Sequence, residues 1–490
     1  MALHPKRHPI IYVRGFAMRD ADIEDTVNTP YMGFNLGSTR IRQSHDRSFV
    51  PYIFESPLIR LMKEYGYKDE YLEGKRNDGR IPQQSVIIYR YYEQPETGDG
   101  HRPDILEAAK GLSELIEEVR DRVCGGDAEA EKDFKVYLVA HSMGGLICRC
   151  LLQNPNVGSK LAKRCIDKVF TYGTPHNGIE IGGINVPRML GLWDISNFNR
   201  KNIAKFLDLE PQEGNVNHLN ETFPPERFFC LVGTNSRDYS LARLGVGTAS
   251  DGLVRIENSY VQNAPRVYCH LSHSGHYGMV NSQEGYQNLV RFLFGDYRVI
   301  LRMVPEDLPM PPSILKYYKK DKKIRGSYLF ECTIMPRGDF LIPIALTDRR
   351  AEHSSAIFRT YDEIFHPERA KLQQPRHPVL ASVFLDSSKI TSRKTMVFTV
   401  DLAVRSTDFW VNGILSTSRR IPDENLYRDK IVLNVALNNE GWTVRFVESD
   451  DNWGENPGTE LSRDDDGYYI QLHNAKGFRA KLYLDLTPWS

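Results

Sequence analysis

The sequence predicts an α/β architecture: a mostly parallel sheet with helices on both faces, followed by an antiparallel, β-sandwich-like second region. Three observations carry this. Residues 1 to about 296 alternate short apolar runs with helical patterns, the pattern of strands joined by crossover helices. The apolar runs suit strands buried on both faces. After Gly295 the apolar period falls to two and strong helical patterns stop, as expected of antiparallel sheets.

In chain order the parallel strands are expected at Pro9–Val13, Ser85–Tyr91, Lys135–Ala140, Asp167–Tyr172, Arg227–Gly233 and Arg266–Leu271. Helices are expected at Phe54–Gly66, at Pro103–Val123, from Gly144 through Leu152, and at Gln283–Phe294. The second of these carries Ile105, Ala108, Ala109, Leu112, Ile116 and Val119 at spacings of three and four, which makes one apolar face. Gly295 closes the last helix. Leu308 to Pro312, LPMPP, reads as a linker. Beyond it, Met396 to Val404 and Phe478 to Leu486 alternate apolar and mostly polar residues. Val432 to Val447 contains NNEG, a hairpin turn signal. The expected organisation is a first domain over 1–296, with an insertion at 178–226, and a β-rich second domain over 297–490.

The chain has 490 residues, too many for one ordinary core, so two or three domains are expected. Its formal net charge is zero and no stretch joins aromatic to basic residues as nucleic-acid binders do, so nucleic acid is not expected as a partner. The N-terminus begins basic and then apolar, but Arg14 interrupts an apolar run of only Ile10 to Val13. That is too short for a signal-peptide core or a membrane span. The seven cysteines are odd in number and lack CxxC pairing, so a reducing compartment is the simplest expectation. The protein is expected in the cytoplasm, or exported without a cleaved signal peptide.

Chemistry enters at KVYLVAHSMGGLICRC, residues 135–150. Ser142 falls between a strand pattern and a helix pattern, with Ala140 and Gly144 two residues to either side. A sharp strand-to-helix turn strains the central residue and crowds those positions, so both must be small. Such a turn lifts the hydroxyl to the carboxyl end of the sheet, where open α/β sheets hold ligands.

Further segments carry a family resemblance. PIIYVRGF at 9–16 resembles the first inner strand and oxyanion loop of lipases, and AHSMGG at 140–145 resembles their nucleophile elbow. VFTYGTPHNG at 169–178, SDGLV at 250–254 and HSGHYGMV at 273–280 resemble the following strand, the acid loop and the histidine loop. Residues 9 to about 295 thus resemble a lipase-type member of the α/β-hydrolase superfamily. One departure is Arg14, which stands where that family usually has histidine.

The resemblance implies a triad in the order serine, acid, histidine. Ser142 is the nucleophile. Asp251 is the expected acid, with Asp238 in reserve. His276 is taken as the base, with His273 as the alternative, because both lie on the loop before the last helix. The spacing of His270, His273 and His276 also suits a metal, but a zinc site needs more ligands than this loop offers. His141 is expected to pack or bond locally. The oxyanion donors are expected to be the backbone N–H groups of Phe16 and Met143. Gly15, Leu190 and Trp193 are the substrate-binding candidates. No metal and no cofactor are required.

The insertion from Gly178 to Phe198 carries Ile181, Ile184, Val186, Met189, Leu192 and Ile195 besides Leu190 and Trp193. So apolar a segment reads as a lid over an acyl chain. A second insertion, Asp20 to Ser48, is polar and expected at the rim of the site. The basic stretch KYYKKDKKIR at 316–325 reads as a solvated loop, or as a patch for anionic membranes. The expected function is hydrolysis of carboxylic esters of lipids by a lipase or phospholipase A. The alternatives are an esterase, thioesterase or acyltransferase for small soluble substrates, or a secreted antibacterial lipase. Expected partners are a lipid or ester substrate, transient membrane contact, and a protein docked through the second domain.

Overall fold

A computed structural model of the chain describes residues 7–15, 38–43, 49–54, 56–70, 79–89, 91, 103–179, 198–237, 246–275, 278–309, 324–337, 344–367, 377–389, 395–407, 410–411, 424–438, 441–449 and 458–489. The chain divides into two compact units, Met1–Phe294 and Gly295–Ser490.

The first unit holds a seven-stranded sheet. Numbered within that sheet, its strands are β1 Ile10–Val13, β2 Lys68–Asp69, β3 Ser85–Tyr89, β4 Val136–His141, β5 Ile166–Tyr172, β6 Phe228–Gly233 and β7 Arg266–Cys269. They lie in the order β2-β3-β1-β4-β5-β6-β7, every neighbouring pair parallel. On one face Val13, Leu138 and Ala140 share a core with Leu112 and Ile116 of the helix Ile105–Cys124 and with Leu146 and Ile147 of the helix Met143–Gln153. Side chains alternate across a strand, so Tyr137 and Phe170 enter the other face. There their rings lie 6.2 Å from Phe294 and 6.1 Å from Phe292, on the helix Gln283–Phe294. Burial on both faces is why these strands show no polar alternation.

Local signals set the helix ends. Asp104 and Glu107 form a reciprocal capping box at the start of Ile105–Cys124, satisfying two otherwise orphaned N–H groups. The helix expected from Phe54 begins instead at Pro57, capped by the Ser56 hydroxyl and stopped by Gly66 at φ 69°. Phe49–Phe54 is a strand paired antiparallel with Ser38–Gln43. Part of the polar insertion is therefore a β-strand. The sequence STRIRQ carries no apolar run to announce it, and a short polar strand depends on its partner.

The second unit is antiparallel. Tyr297–Asp307 lies between Val379–Leu385 and Arg479–Pro488, with Gly467–His473 beyond. In a second sheet Ser327–Arg337, Thr395–Ser406, Glu424–Asn438 and Gly441–Val447 follow one another. Leu301, Met303, Leu482 and Leu484 from the first of these sheets share one core with Tyr328, Phe330, Val400 and Leu402 from the second. Two sheets facing across one apolar layer form the expected sandwich.

Candidate active site

Ser142 stands alone between the end of β4 at His141 and the start of the helix at Met143. Its φ is 53° and its ψ −124°, a conformation costly for a residue with a Cβ. The surroundings hold it there. The Ser142 N–H donates to the carbonyl of Tyr172 at the end of β5, at 2.9 Å. The loop after β1 presses in from the other side, where a methyl group at Gly15 would lie 2.7 Å from Ser142 Cβ. Only glycine lets that loop come so near.

Two loops from beyond β6 and β7 supply the partners of the hydroxyl. His273 Nε2 lies 3.0 Å from Ser142 Oγ, and His273 Nδ1 lies 2.8 Å from Asp251 Oδ2. Asp251 is fully buried and His273 nearly so. The other carboxyl oxygen of Asp251 accepts the N–H groups of Leu253 at 3.0 Å and Val254 at 2.8 Å. With a carboxylate facing Nδ1, that nitrogen carries the proton, and Nε2 offers its lone pair to the serine. The backbone repeats the link, for His273 N–H donates to the Asp251 carbonyl at 3.0 Å. A hydroxyl, an oriented imidazole and a buried carboxylate in this order form a chain able to generate a nucleophile.

The imidazole between Ser142 and Asp251 belongs to His273, the alternative of the sequence analysis; the preferred His276 lies outside the described residues. His270 turns elsewhere, with Nδ1 3.1 Å from Thr234 Oγ1. Met143 begins the helix behind the serine, where the first N–H groups have no intrahelical acceptor and the dipole favours negative charge. Phe16, Asp238, Leu190 and Trp193 lie outside the described residues, as does most of the apolar insertion. At its flanks Ile179 N–H donates to the Phe198 carbonyl at 2.9 Å, and Phe198 and Ile203 join the core beneath the nucleophile helix.

Three side chains with little signal in the sequence support this arrangement. His141 Nε2 lies 2.9 Å from the His273 carbonyl oxygen. A carbonyl only accepts, so that nitrogen carries the proton. Burial first, and His273 second, hold the His141 pKa well below the usual histidine range. Tyr91 donates its hydroxyl to the Arg14 carbonyl at 2.8 Å, steadying the chain just after β1. Arg149 is fully buried. It donates to Gln153 Oε1 at 2.8 Å and to the carbonyls of His176 at 2.8 Å, Val216 at 2.7 Å and His218 at 2.9 Å. It thereby ties the nucleophile helix to both stems of the 178–226 insertion. Its one sequence signal is an arginine inside the apolar run LICRCLLQ.

His176 lies in the same layer, fully buried, with Nε2 3.2 Å from Thr171 Oγ1. Thr171 spends its own proton on the Phe229 carbonyl at 3.0 Å, so His176 donates and its Nδ1 is bare. Burial, then Arg149, lower the pKa of this ring well below the usual value. Among the described residues no group of three or more His, Cys, Asp or Glu could hold a metal ion. No described helix is long and apolar enough to cross a membrane. All seven cysteines are buried and free.

Comparison with known proteins gives one family match and several distant structural likenesses. Residues 100–182 match a family model described as a PGAP1-like alpha/beta domain. No curated protein matches the chain. Among solved structures, phospholipase PlaB from Legionella pneumophila is similar at 13% identity and TM-score 0.33, over 81% of this chain and 85% of that one. The product of gene lin2722 from Listeria innocua is similar at 14% identity and TM-score 0.30, over 59% of this chain and 94% of that one. A putative cell surface hydrolase from Lactobacillus plantarum is similar at 12% identity and TM-score 0.23, over 59% and 90%. The resemblance to lipase-type α/β hydrolases, expected from the sequence motifs, holds. The first unit has the expected parallel sheet with helices on both faces, and the second is β-rich.

Proposed function

We propose that the protein is a serine hydrolase that cleaves carboxylic esters of lipids, as a lipase or phospholipase A. The observation that supports this is the hydrogen-bonded chain from Ser142 Oγ through His273 to Asp251. In the first half-reaction Ser142 Oγ attacks the ester carbonyl carbon while His273 Nε2 takes its proton, a step worth about 100- to 10,000-fold in rate. Asp251 balances the imidazolium that forms. The carbonyl electrons move onto oxygen and are held by the N–H groups of Met143 and Phe16, each such donor contributing about 3–4 kcal/mol. The tetrahedral species collapses, the C–O bond to the alcohol breaks, and His273 returns the proton to the leaving oxygen. Water then attacks the acyl-serine, with His273 again taking and giving the proton, and the fatty acid leaves with Ser142 restored.

The lipid part of the proposal draws on the insertion between β5 and β6. Its large aliphatic residues and Trp193 suit a long acyl chain.

The test uses a fluorophosphonate probe, p-nitrophenyl esters of increasing chain length, and phospholipid and triglyceride emulsions. Wild type is expected to be labelled at Ser142 and to gain activity with chain length and on emulsions, while Ser142→Ala does neither. Labelling without any gain from chain length would leave a small-ester esterase. Failure of the folded wild type to be labelled or to turn over any ester would overturn the proposal.

A further inference from the structure

The residue before the nucleophile reaches the two loops that complete the site. His141 is the last residue of β4 and is half-buried. On one side its ring centroid lies 4.9 Å from that of His273, and its Nε2 is 2.9 Å from the His273 carbonyl oxygen. On the other side it abuts the loop after β1, where a methyl group at Gly15 would lie 3.3 Å from His141 Nδ1 and 2.7 Å from Ser142 Cβ. The ring is thus wedged between the Gly15 loop and the loop that carries His273.

We infer that His141 is a positioning residue, whose Nε2–H bond to the His273 carbonyl holds the base loop so that the His273 ring stays on line with Ser142 Oγ. The inference rests on the serine-hydrolase function proposed above. The His273 side chain is guided by Asp251 and Ser142, but a side chain can only be as fixed as its own backbone. The backbone N–H of His273 is held by the Asp251 carbonyl at 3.0 Å, and its carbonyl by His141. One tie comes from the acid loop and the other from the strand that presents the nucleophile. Together they couple the three reacting residues through main chain as well as through side chains.

Histidine suits the task for a chemical reason. The position needs a donor that is rigid, planar and uncharged. A lysine or arginine would place a permanent cation beside the ring that must become imidazolium, and like charges that close oppose each other. A neutral imidazole offers one N–H to the carbonyl and leaves the base free to charge.

The test compares three variants in the full chain. His141→Phe keeps a planar ring and removes the donor. His141→Gln restores an amide donor near the Nε2 position, and His141→Asn brings a donor one bond short. For each, kcat and KM on one ester, the rate and final extent of fluorophosphonate labelling, and the melting temperature are measured. His141→Phe and His141→Asn are expected to lower kcat and the labelling rate by about 10- to 100-fold, as a displacement of about 1 Å at a reacting group does. KM is expected to move little, and labelling to reach the same final extent. His141→Gln is expected to recover most of the rate. A merely structural role would lower the final extent of labelling and the melting temperature, and Gln would bring no rescue. Wild-type rates in Phe and Asn, or Gln no faster than Asn, would overturn the inference. Should Phe fail to fold, Asn against Gln decides it. Absence of labelling in wild type would instead defeat the proposed function, so the two failures are distinct.

Discussion

A methyl group added to Gly144 would lie 2.2 Å from the carbonyl oxygen of Val13. The first turn of the nucleophile helix is pressed against the end of β1, and the contact is with main chain, which cannot rotate away. Gly144→Ala must therefore move the helix or the strand. Overpacking of this kind costs about 1–3 kcal/mol or more, and the movement also displaces Ser142. A lower melting temperature together with slower fluorophosphonate labelling is expected. An alanine variant as stable and as reactive as wild type would mean the helix does not pack here as described.

The distances around the serine put the His273 ring beside its hydroxyl. His273→Ala is expected to reduce ester turnover by about a million-fold, comparable with Ser142→Ala, because members of such a chain fail together. Asp251→Asn, which keeps shape but loses the charge, is expected to fall by about 10,000-fold. His276→Ala is expected to stay far closer to wild type. Steady-state kinetics on one soluble ester, with circular dichroism to confirm folding, reads this directly. A severe loss in His276→Ala with activity retained in His273→Ala would reverse the assignment.

His176 supplies a pH dependence of stability. Its folded pKa is lowered, by burial and then by Arg149, while an exposed histidine titrates near 6.5. Below about pH 6.5 the unfolded chain takes up a proton that the folded chain refuses, so stability falls as pH falls through that window. One such group contributes up to about 1.4 kcal/mol per pH unit. Urea unfolding between pH 7 and pH 5 is expected to show the decline, and His176→Gln to shallow it. An unchanged slope in that variant would exclude His176 as a source.

Arg149 is a buried cation whose partners are three backbone carbonyls and an amide side chain, with no carboxylate among them. Arg149→Met removes the donors and strands their acceptors. At about 1–3 kcal/mol for each orphaned group, a loss of about 3 kcal/mol is expected. Arg149→Lys recovers little, because one ammonium cannot span carbonyls that a planar fork reaches together. Denaturant unfolding checks this, and a lysine variant at wild-type stability would contradict it.

Much of the fold was legible because its signals are local. Strands buried on both faces must be apolar runs, and the β4 run from Val136 to Ala140 is one. A helix facing a core on one side must repeat at three and four, and Leu112 and Ile116 do so and are fully buried. The strand Ser38–Gln43 and the edge strand Lys68–Asp69 were not legible, since no apolar run marks either in the sequence. The elbow could be anticipated at Ser142 because small residues had to flank it. His141, Tyr91 and Arg149 could not be assigned roles, because each acts on a backbone carbonyl that no pattern of side chains reveals.

The resemblance to lipases implied the succession of serine, carboxylate and histidine loops; the sequence by itself determined the order of layers and the place of the strained serine. It did so because steric demands and apolar periodicity act over a few residues. Which imidazole stands beside the hydroxyl was decided only when the chain closed on itself. His273 and Ser142 are 131 positions apart, and their meeting depends on how the ends of β4, β5, β6 and β7 gather. His273 looks like its neighbours on the loop until long-range bonds to its main chain, from the Asp251 carbonyl and the His141 ring, hold it in place.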